Sequence, residues 1–235
     1  MRATADDLLQ TLGEEPPNRE VVHLLRQLAV DALIYRFPVE WDNALEYARS
    51  AVNIAERLNE PVELSSALTT LAHVYGANEF LRARAQVALR ALSLSREHPF
   101  GDLRERVLIL IGAGKALVDV GEYEQAVPYL EEANRLAEQI HAVHEQTQSL
   151  SLIIQAWFRL DRWDEMLEVE EKRRALQEIY PLRRVGAPCF AIGLSSAVRA
   201  LRGEFETSKN LHNESFEIMT AVSGPTENWK RSQRY

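Results

Sequence analysis

His141 and His144 stand three residues apart, a spacing that on one helical face would suit two ligands of a zinc ion. Glu138 and Glu145 lie close enough to join them. Zinc needs three or four converging ligands, and no other histidine or cysteine is near in sequence, so a solvated polar link explains the stretch better. Cys189, in GAPCFAIGLSS, would need a base and an orienting partner to act as a nucleophile, and its apolar surroundings favour a small core residue instead. Asp161, Asp164 and Glu165 could be read as an acidic metal cluster, but acids at a helix start are already accounted for by capping and the helix dipole. The run EEKRR at 170–174 reads as a solvated, ion-paired helix surface. IGAGKAL at 111–117 lacks the spacing of a phosphate loop and follows no strand, so its glycines are assigned to helix packing. No cofactor is expected, and the chain reads as a protein that is not an enzyme.

Composition agrees with a folded chain of another kind. The 235 residues are 46% hydrophobic and 26% charged, outside the range of disordered sequences. Nine prolines and ten glycines are few for this length and favour long helices. A formal charge of -8 argues against a nucleic-acid partner, which requires a basic face. One cysteine excludes an internal disulfide and fits a reducing compartment. The N-terminal MRATADDLLQTLGEEPPN carries acids where a secretory signal needs an apolar stretch, and no run approaches the roughly 18 apolar residues of a membrane span. A cytoplasmic location and no membrane partner are therefore expected.

Those candidate groups must be carried by helices, and the helices repeat. From Val107 to Ile140 two apolar-periodic stretches flank a break at Asp119-Val120-Gly121-Glu122. Tyr123, Ala126, Leu130, Ala133 and Ala137 step by three and four along one helical face. A bulky residue just after a turn recurs as Trp41, Leu81, Tyr123, Trp163 and Phe205, spaced by 40, 42, 40 and 42 residues. The second unit places its turn at Gly76-Ala-Asn-Glu. In the fourth, Met166, Glu170 and Arg173 stand where the others have small residues, and the fifth keeps Gly203, Phe205 and Ser208. Degeneration toward one end suits a repeat that caps the stack.

The Val107–Ile140 unit resembles the tetratricopeptide repeat in Gly114, Gly121, Tyr123, Ala126 and Ala133, which match its small, turn and bulky positions. The resemblance covers most of residues 20–222. It implies an all-α fold, a right-handed α-solenoid of about five such hairpins, organised as an N-terminal extension at 1–17 with one short helix over 4–12, a solenoid at 18–222 and a tail at 223–235. The longer period, near 41, resembles the repeats of maltose-regulator-type activators and repeat-bearing bacterial nucleotide cyclases.

In that family the first helix of each hairpin lines the concave side. The resemblance thus implies groove positions at Arg26, Arg36, Thr69, His73, Lys115, Ser151, Gln155 and Phe158. This mixed polar set with scattered positive charge suits a protein or peptide partner that is acidic or extended. Ala29 and Leu33 fall where a chaperone-tail clamp needs Lys and Asn, so that role is disfavoured. The expected function is a protein-binding scaffold or adaptor. The alternative is a ligand-sensing segment of a larger bacterial signalling regulator, which the extended period and the ending GPTENWKRSQRY suggest. A helical hydrolase or metal enzyme has only His141, His144 and Cys189 in its favour. Stacking of solenoid ends offers a route to a homodimer.

Overall fold

The computed structural model describes residues 17–34, 40–98, 102–179 and 186–223. The N-terminal helix expected at 4–12, the tail beyond 223 and Arg36 lie outside them. All regular structure among the described residues is α-helical, in ten helices: α1 (Arg19–Ile34), α2 (Trp41–Leu58), α3 (Pro61–Ala77), α4 (Leu81–Glu97), α5 (Leu103–Val120), α6 (Tyr123–Gln139), α7 (Val143–Arg159), α8 (Trp163–Ile179), α9 (Gly186–Leu201) and α10 (Phe205–Ser223). Each bulky residue picked out by the 40- and 42-residue spacing is the first residue of an even-numbered helix.

The turns follow one rule. Two residues before a helix start, the backbone enters the left-handed region: Asn59, Glu79, Gly121, His141, Asp161 and Gly203 all have positive φ. Around Glu79 the Phe80 amide donates to the Tyr75 carbonyl (2.9 Å) and the Glu79 amide to the Gly76 carbonyl (3.3 Å). Ala142 with His141, Arg162 with Asp161 and Glu204 with Gly203 repeat this pair, which satisfies carbonyls that a helix end leaves open. Glycine takes that conformation freely, whereas a side chain costs about 1 kcal/mol. Glu79→Gly is accordingly expected to raise stability by about 1 kcal/mol. Gly121→Ala should lower it by a similar amount, on backbone grounds alone, since a Cβ there would touch nothing within 4 Å. Denaturant midpoints of the two variants check both signs.

The turn expected at Gly76 begins later. Gly76 is helical, near the end of α3, and the reversal is made by Asn78-Glu79-Phe80. A turn can be made without glycine because two backbone hydrogen bonds hold Glu79 in place. Gly76 serves packing instead, as described below.

The chain divides into two compact units, Met1–Val120 and Gly121–Tyr235, with the division at the Gly121 turn. In unit 1, α1 packs on α2 and α3, and α3 packs on α2, α4 and α5. Its core runs from Val22, Leu25 and Ala29 of α1 through Ala44, Ala48, Ala51 and Ala55 of α2 to Ala67, Leu71 and Val74 of α3. A second cluster of Ala72, Ala85, Ala88 and Ala116 joins α3, α4 and α5. Alanines at three- and four-residue steps bring helix axes close together while sparing side-chain entropy.

In unit 2, α7 packs on α6, α8 and α9, and α9 packs on α8 and α10. Leu130 and Ala133, Ile153, Ile154 and Trp157, Met166 and Leu167, Ala191, Ile192 and Val198, and Leu211 are its buried residues on the successive helices. The last hairpin is tied by Ser196, whose hydroxyl donates to the Ser208 carbonyl at 2.8 Å. Among the described residues no helix is long and apolar enough to cross a membrane.

Candidate functional site

The first helices α1, α3 and α5 carry four of the expected groove residues in unit 1: Arg26, Thr69, His73 and Lys115. A polar network in two separate parts spans these helices, one part joining α1, α3 and α5 and the other joining α5 to α4. The Arg26 Nε donates to Thr70 Oγ1 (3.2 Å), and Thr70 in turn donates to the Ser66 carbonyl (3.3 Å). The Ser66 hydroxyl donates to Glu105 Oε1 (2.6 Å), which lies 3.9 Å from the Arg26 guanidinium. Lys115 Nζ holds both carboxylate oxygens of Asp119 at 3.1 Å.

The remaining contact comes from a second helix. Arg84 starts on α4 and donates Nη1 to Asp119 Oδ2 at 2.5 Å, with its side chain only 6% exposed. It reaches α5 past Gly76, whose missing Cβ would stand 2.6 Å from that same Nη1 and 2.9 Å from Cζ. Gly76 is therefore the gap in α3 through which the guanidinium reaches Asp119. Burial pulls the Arg84 pKa down and Asp119 opposes that shift. Its Nε is buried without a hydrogen-bond partner. Arg26, Lys115 and Arg84 are the cations of these contacts and Glu105 and Asp119 their carboxylates.

His73 lies on α3 between the two ends of the network, three residues from both Thr70 and Gly76. Its side chain is exposed, yet its pKa is lowered, first by desolvation and then by Arg84, Lys115 and Arg26. The unfolded chain, with an ordinary histidine pKa near 6.5, binds more protons than the folded one just below that value. The contribution of His73 to stability is therefore full above about pH 6.5 and falls as pH drops through that value toward the lowered folded pKa. His73→Gln is expected to flatten the stability profile over that range. Identical slopes for the variant and the parent protein would remove the electrostatic role given to this ring.

Gly112, one turn before Lys115 on α5, has nothing within 4 Å of an added Cβ. The expectation that both glycines of IGAGKAL serve packing thus holds for buried Gly114 and is corrected for Gly112, which leaves open space beside Lys115.

In unit 2, Ser151, Gln155 and Phe158 lie on α7. Ser151 is buried and its hydroxyl donates to the Thr147 carbonyl at 2.7 Å, so it offers no free polar group. Gln155 and Phe158 are half-buried. His141 occupies a left-handed turn and His144 the first turn of α7, so they do not share a helical face as the zinc reading assumed. Asp161 makes the next such turn, Asp164 pairs with Arg202 (2.7 Å) and Glu165 with Arg162 (2.6 Å). Arg162 holds the Glu165 carboxyl below the usual carboxylate range through its hydrogen bond. Cys189 falls in α9, with its side chain outside the described residues.

The reading of EEKRR as a solvated, ion-paired surface holds for its ion pairs and for exposed Glu171 and Lys172, and is corrected at two positions. Glu170 and Arg173 are buried, because they lie on the face of α8 that repeats elsewhere fill with small residues. The Arg173 guanidinium donates to Glu170 twice (2.6 and 2.8 Å) and to Gln177 (2.8 Å). A cavity of about 310 Å³ adjoins the pair, lined by Arg174, Ser195, Arg199 and Glu214 among others.

These helical hairpins define the chain as an all-α solenoid of the tetratricopeptide-like type. No family model matches it, and no curated protein does. Similar solved structures include BtubC (BKLC) from P. vanneervenii, 16% identical, covering 97% of this chain and 95% of that one with a TM-score of 0.71. A kinesin light chain from Podosopora anserina with TPR-like repeats is 15% identical, covering 94% and 100% with a TM-score of 0.64. A Rap protein complexed with competence and sporulation factor is 16% identical, covering 93% of this chain but 60% of that one, with a TM-score of 0.67. At these identities the likeness is one of fold.

Proposed function

We propose that the chain is a non-catalytic binding module that holds an acidic, extended peptide segment of a partner protein. The observation that carries this reading is the set of cations Arg26, Arg84 and Lys115 on α1, α4 and α5 of unit 1, with Lys115 partly exposed and open space beside it at Gly112. Lys115 is 40% exposed and can turn from Asp119 to an incoming carboxylate, because Arg84 remains on Asp119 to compensate it. His73 adds an imidazole along the same helix, and Thr69, whose hydroxyl donates to the Ser65 carbonyl at 2.9 Å, can only accept there. Gly112 leaves room for a main chain to approach, a use of glycine that offsets its cost in a helix.

The test is equilibrium binding of fluorescent acidic peptides to the full chain. Lys115→Glu reverses the charge at the centre of the face and is expected to weaken binding by about tenfold or more. Gly112→Leu fills the open space beside Lys115 without altering charge and should weaken it as well. Unchanged affinity in both variants would place the partner elsewhere or nowhere on this face.

A second reading has one observation in its favour. The similar Rap structure holds competence and sporulation factor and extends well beyond the part this chain matches. A role as the sensing segment of a longer regulator would follow if the gene continues into an output domain.

A further inference from the structure

The cavity beside the buried Glu170–Arg173 pair is enclosed by three helices of unit 2. α8 and α10 each pack on α9, and the cleft lined by all three measures about 310 Å³, at the small end of the range for ligand pockets. Helical register brings a polar row from each helix to it: Glu171 and Arg174 from α8, Ser195 and Arg199 from α9, Asn210 and Glu214 from α10. Steps of three and four residues place each row on one helical face. Ser195 is fully buried, and its hydroxyl donates to the Ala191 carbonyl at 3.1 Å, which leaves its oxygen able to accept.

The charges lining the cleft are mixed, and two of their pairings are loose. Arg174 and Glu214 reach across it from α8 to α10 as an ion pair at 3.1 Å, with side chains 37% and 35% exposed. Arg199 donates Nη1 to Glu204 at 2.6 Å, whereas its Nη2 stands 3.9 Å from Glu171, beyond hydrogen-bond reach. A second cavity of about 190 Å³ is lined by the same Arg174 and Glu214 together with Gln177 and Glu178, so the pair forms a wall common to both. Glu170 is neutralised by Arg173, and the lining then offers two guanidiniums against two further carboxylates. An anion taken up by Arg174 would leave Glu214 without that partner, and a cation taken up by Glu214 would do the same to Arg174. A molecule carrying both charges exchanges the pairs and orphans neither.

We propose that the cleft lined by α8, α9 and α10 binds a small zwitterion of the amino-acid class, with its carboxylate on Arg174 and Arg199 and its ammonium on Glu214 and Glu171. The Ser195 oxygen and the Asn210 amide add polar contacts, and no covalent bond is made. Because the ligand touches all three helices, its binding holds the last hairpin against α8 and raises the melting temperature. The site is independent of the peptide face in unit 1.

The experiment titrates the full chain with each protein amino acid in turn, followed by ligand-observed NMR. The tightest binder is then compared with its N-acetyl and its carboxamide forms, each of which keeps only one of the two charges. Saturable binding of at least one amino acid is expected, weakened about tenfold or more in either blocked form. Glu214→Gln should weaken it by a similar factor. Asn210 is exposed, so Asn210→Trp plugs the cleft without removing an ion pair and should also abolish most of the binding, with circular dichroism showing that both variants remain folded. Absence of binding by every amino acid, or blocked forms that bind as tightly as the parent molecule, overturns the zwitterion. Binding that survives both substitutions overturns the cleft as its site. None of these outcomes bears on peptide binding at Lys115.

Discussion

Arg173→Ala is expected to destabilise the second unit by about 3–5 kcal/mol, a large share of the stability of a unit this size. The reason is what remains. Glu170 is itself buried, and its two partners on the guanidinium vanish together, leaving a carboxylate without hydrogen bonds away from water. Gln177 loses its donor as well. Glu170→Ala should cost a similar amount, because a fully buried guanidinium is then left with Gln177 alone. Changing both together, to leucine and methionine, is expected to cost far less than either single change, since a buried ion pair is often matched by well-packed apolar residues of similar volume. Chemical denaturation of the three variants, with hydrogen exchange of α8 to locate the loss, checks the order. Additive single and double effects would mean that the pair is not coupled.

Asp119→Ala is the second large change, expected to cost about 3 kcal/mol in unit 1. The Arg84 guanidinium would stay enclosed with the Asp119 carboxylate gone and its Nε already without a partner. Gly76→Ala approaches the same state from the other side. Its new methyl group would stand 2.6 Å from Arg84 Nη1, and the guanidinium can move away only by leaving Asp119. The two variants should therefore share lower stability but differ at Lys115, which loses its carboxylate in Asp119→Ala and keeps it in Gly76→Ala. Arg84→Ala separates the effects, because it restores space beside an alanine at 76. Partial recovery in the Gly76→Ala, Arg84→Ala double variant is expected, and a double variant worse than the sum of its parts would contradict the threading of Arg84 past Gly76.

The repeat was legible because its signals are local. Trp41, Leu81, Tyr123, Trp163 and Phe205 each open a helix, and the alanines of α2 and α6 face the core as their spacing requires. Left-handed turns were legible only at Gly121 and Gly203. At Asn59, His141 and Asp161 the residue types favour that conformation only mildly, and at Glu79 no preference marks it. The site was half legible. Arg26, Thr69, His73 and Lys115 follow from helical register, which a sequence carries. Arg84 does not, because it belongs to a second helix and reaches the face through a gap that only packing reveals. Glu170 and Arg173 failed for the opposite reason: a charged run three residues apart is what an exposed helix shows, and nothing local marks the pair as enclosed. Their departure from the small-residue pattern was the one available signal.

The measurement closest to the central claim is a chemical-shift map of the full chain titrated with an acetylated, amidated tetraglutamate peptide. Binding on the first-helix face of unit 1 predicts perturbations at Arg26, Thr69, His73, Gly112 and Lys115, with the exposed sides of α2 and α4 unmoved. Perturbations confined to α2 and α4, or none at saturating peptide, would contradict it.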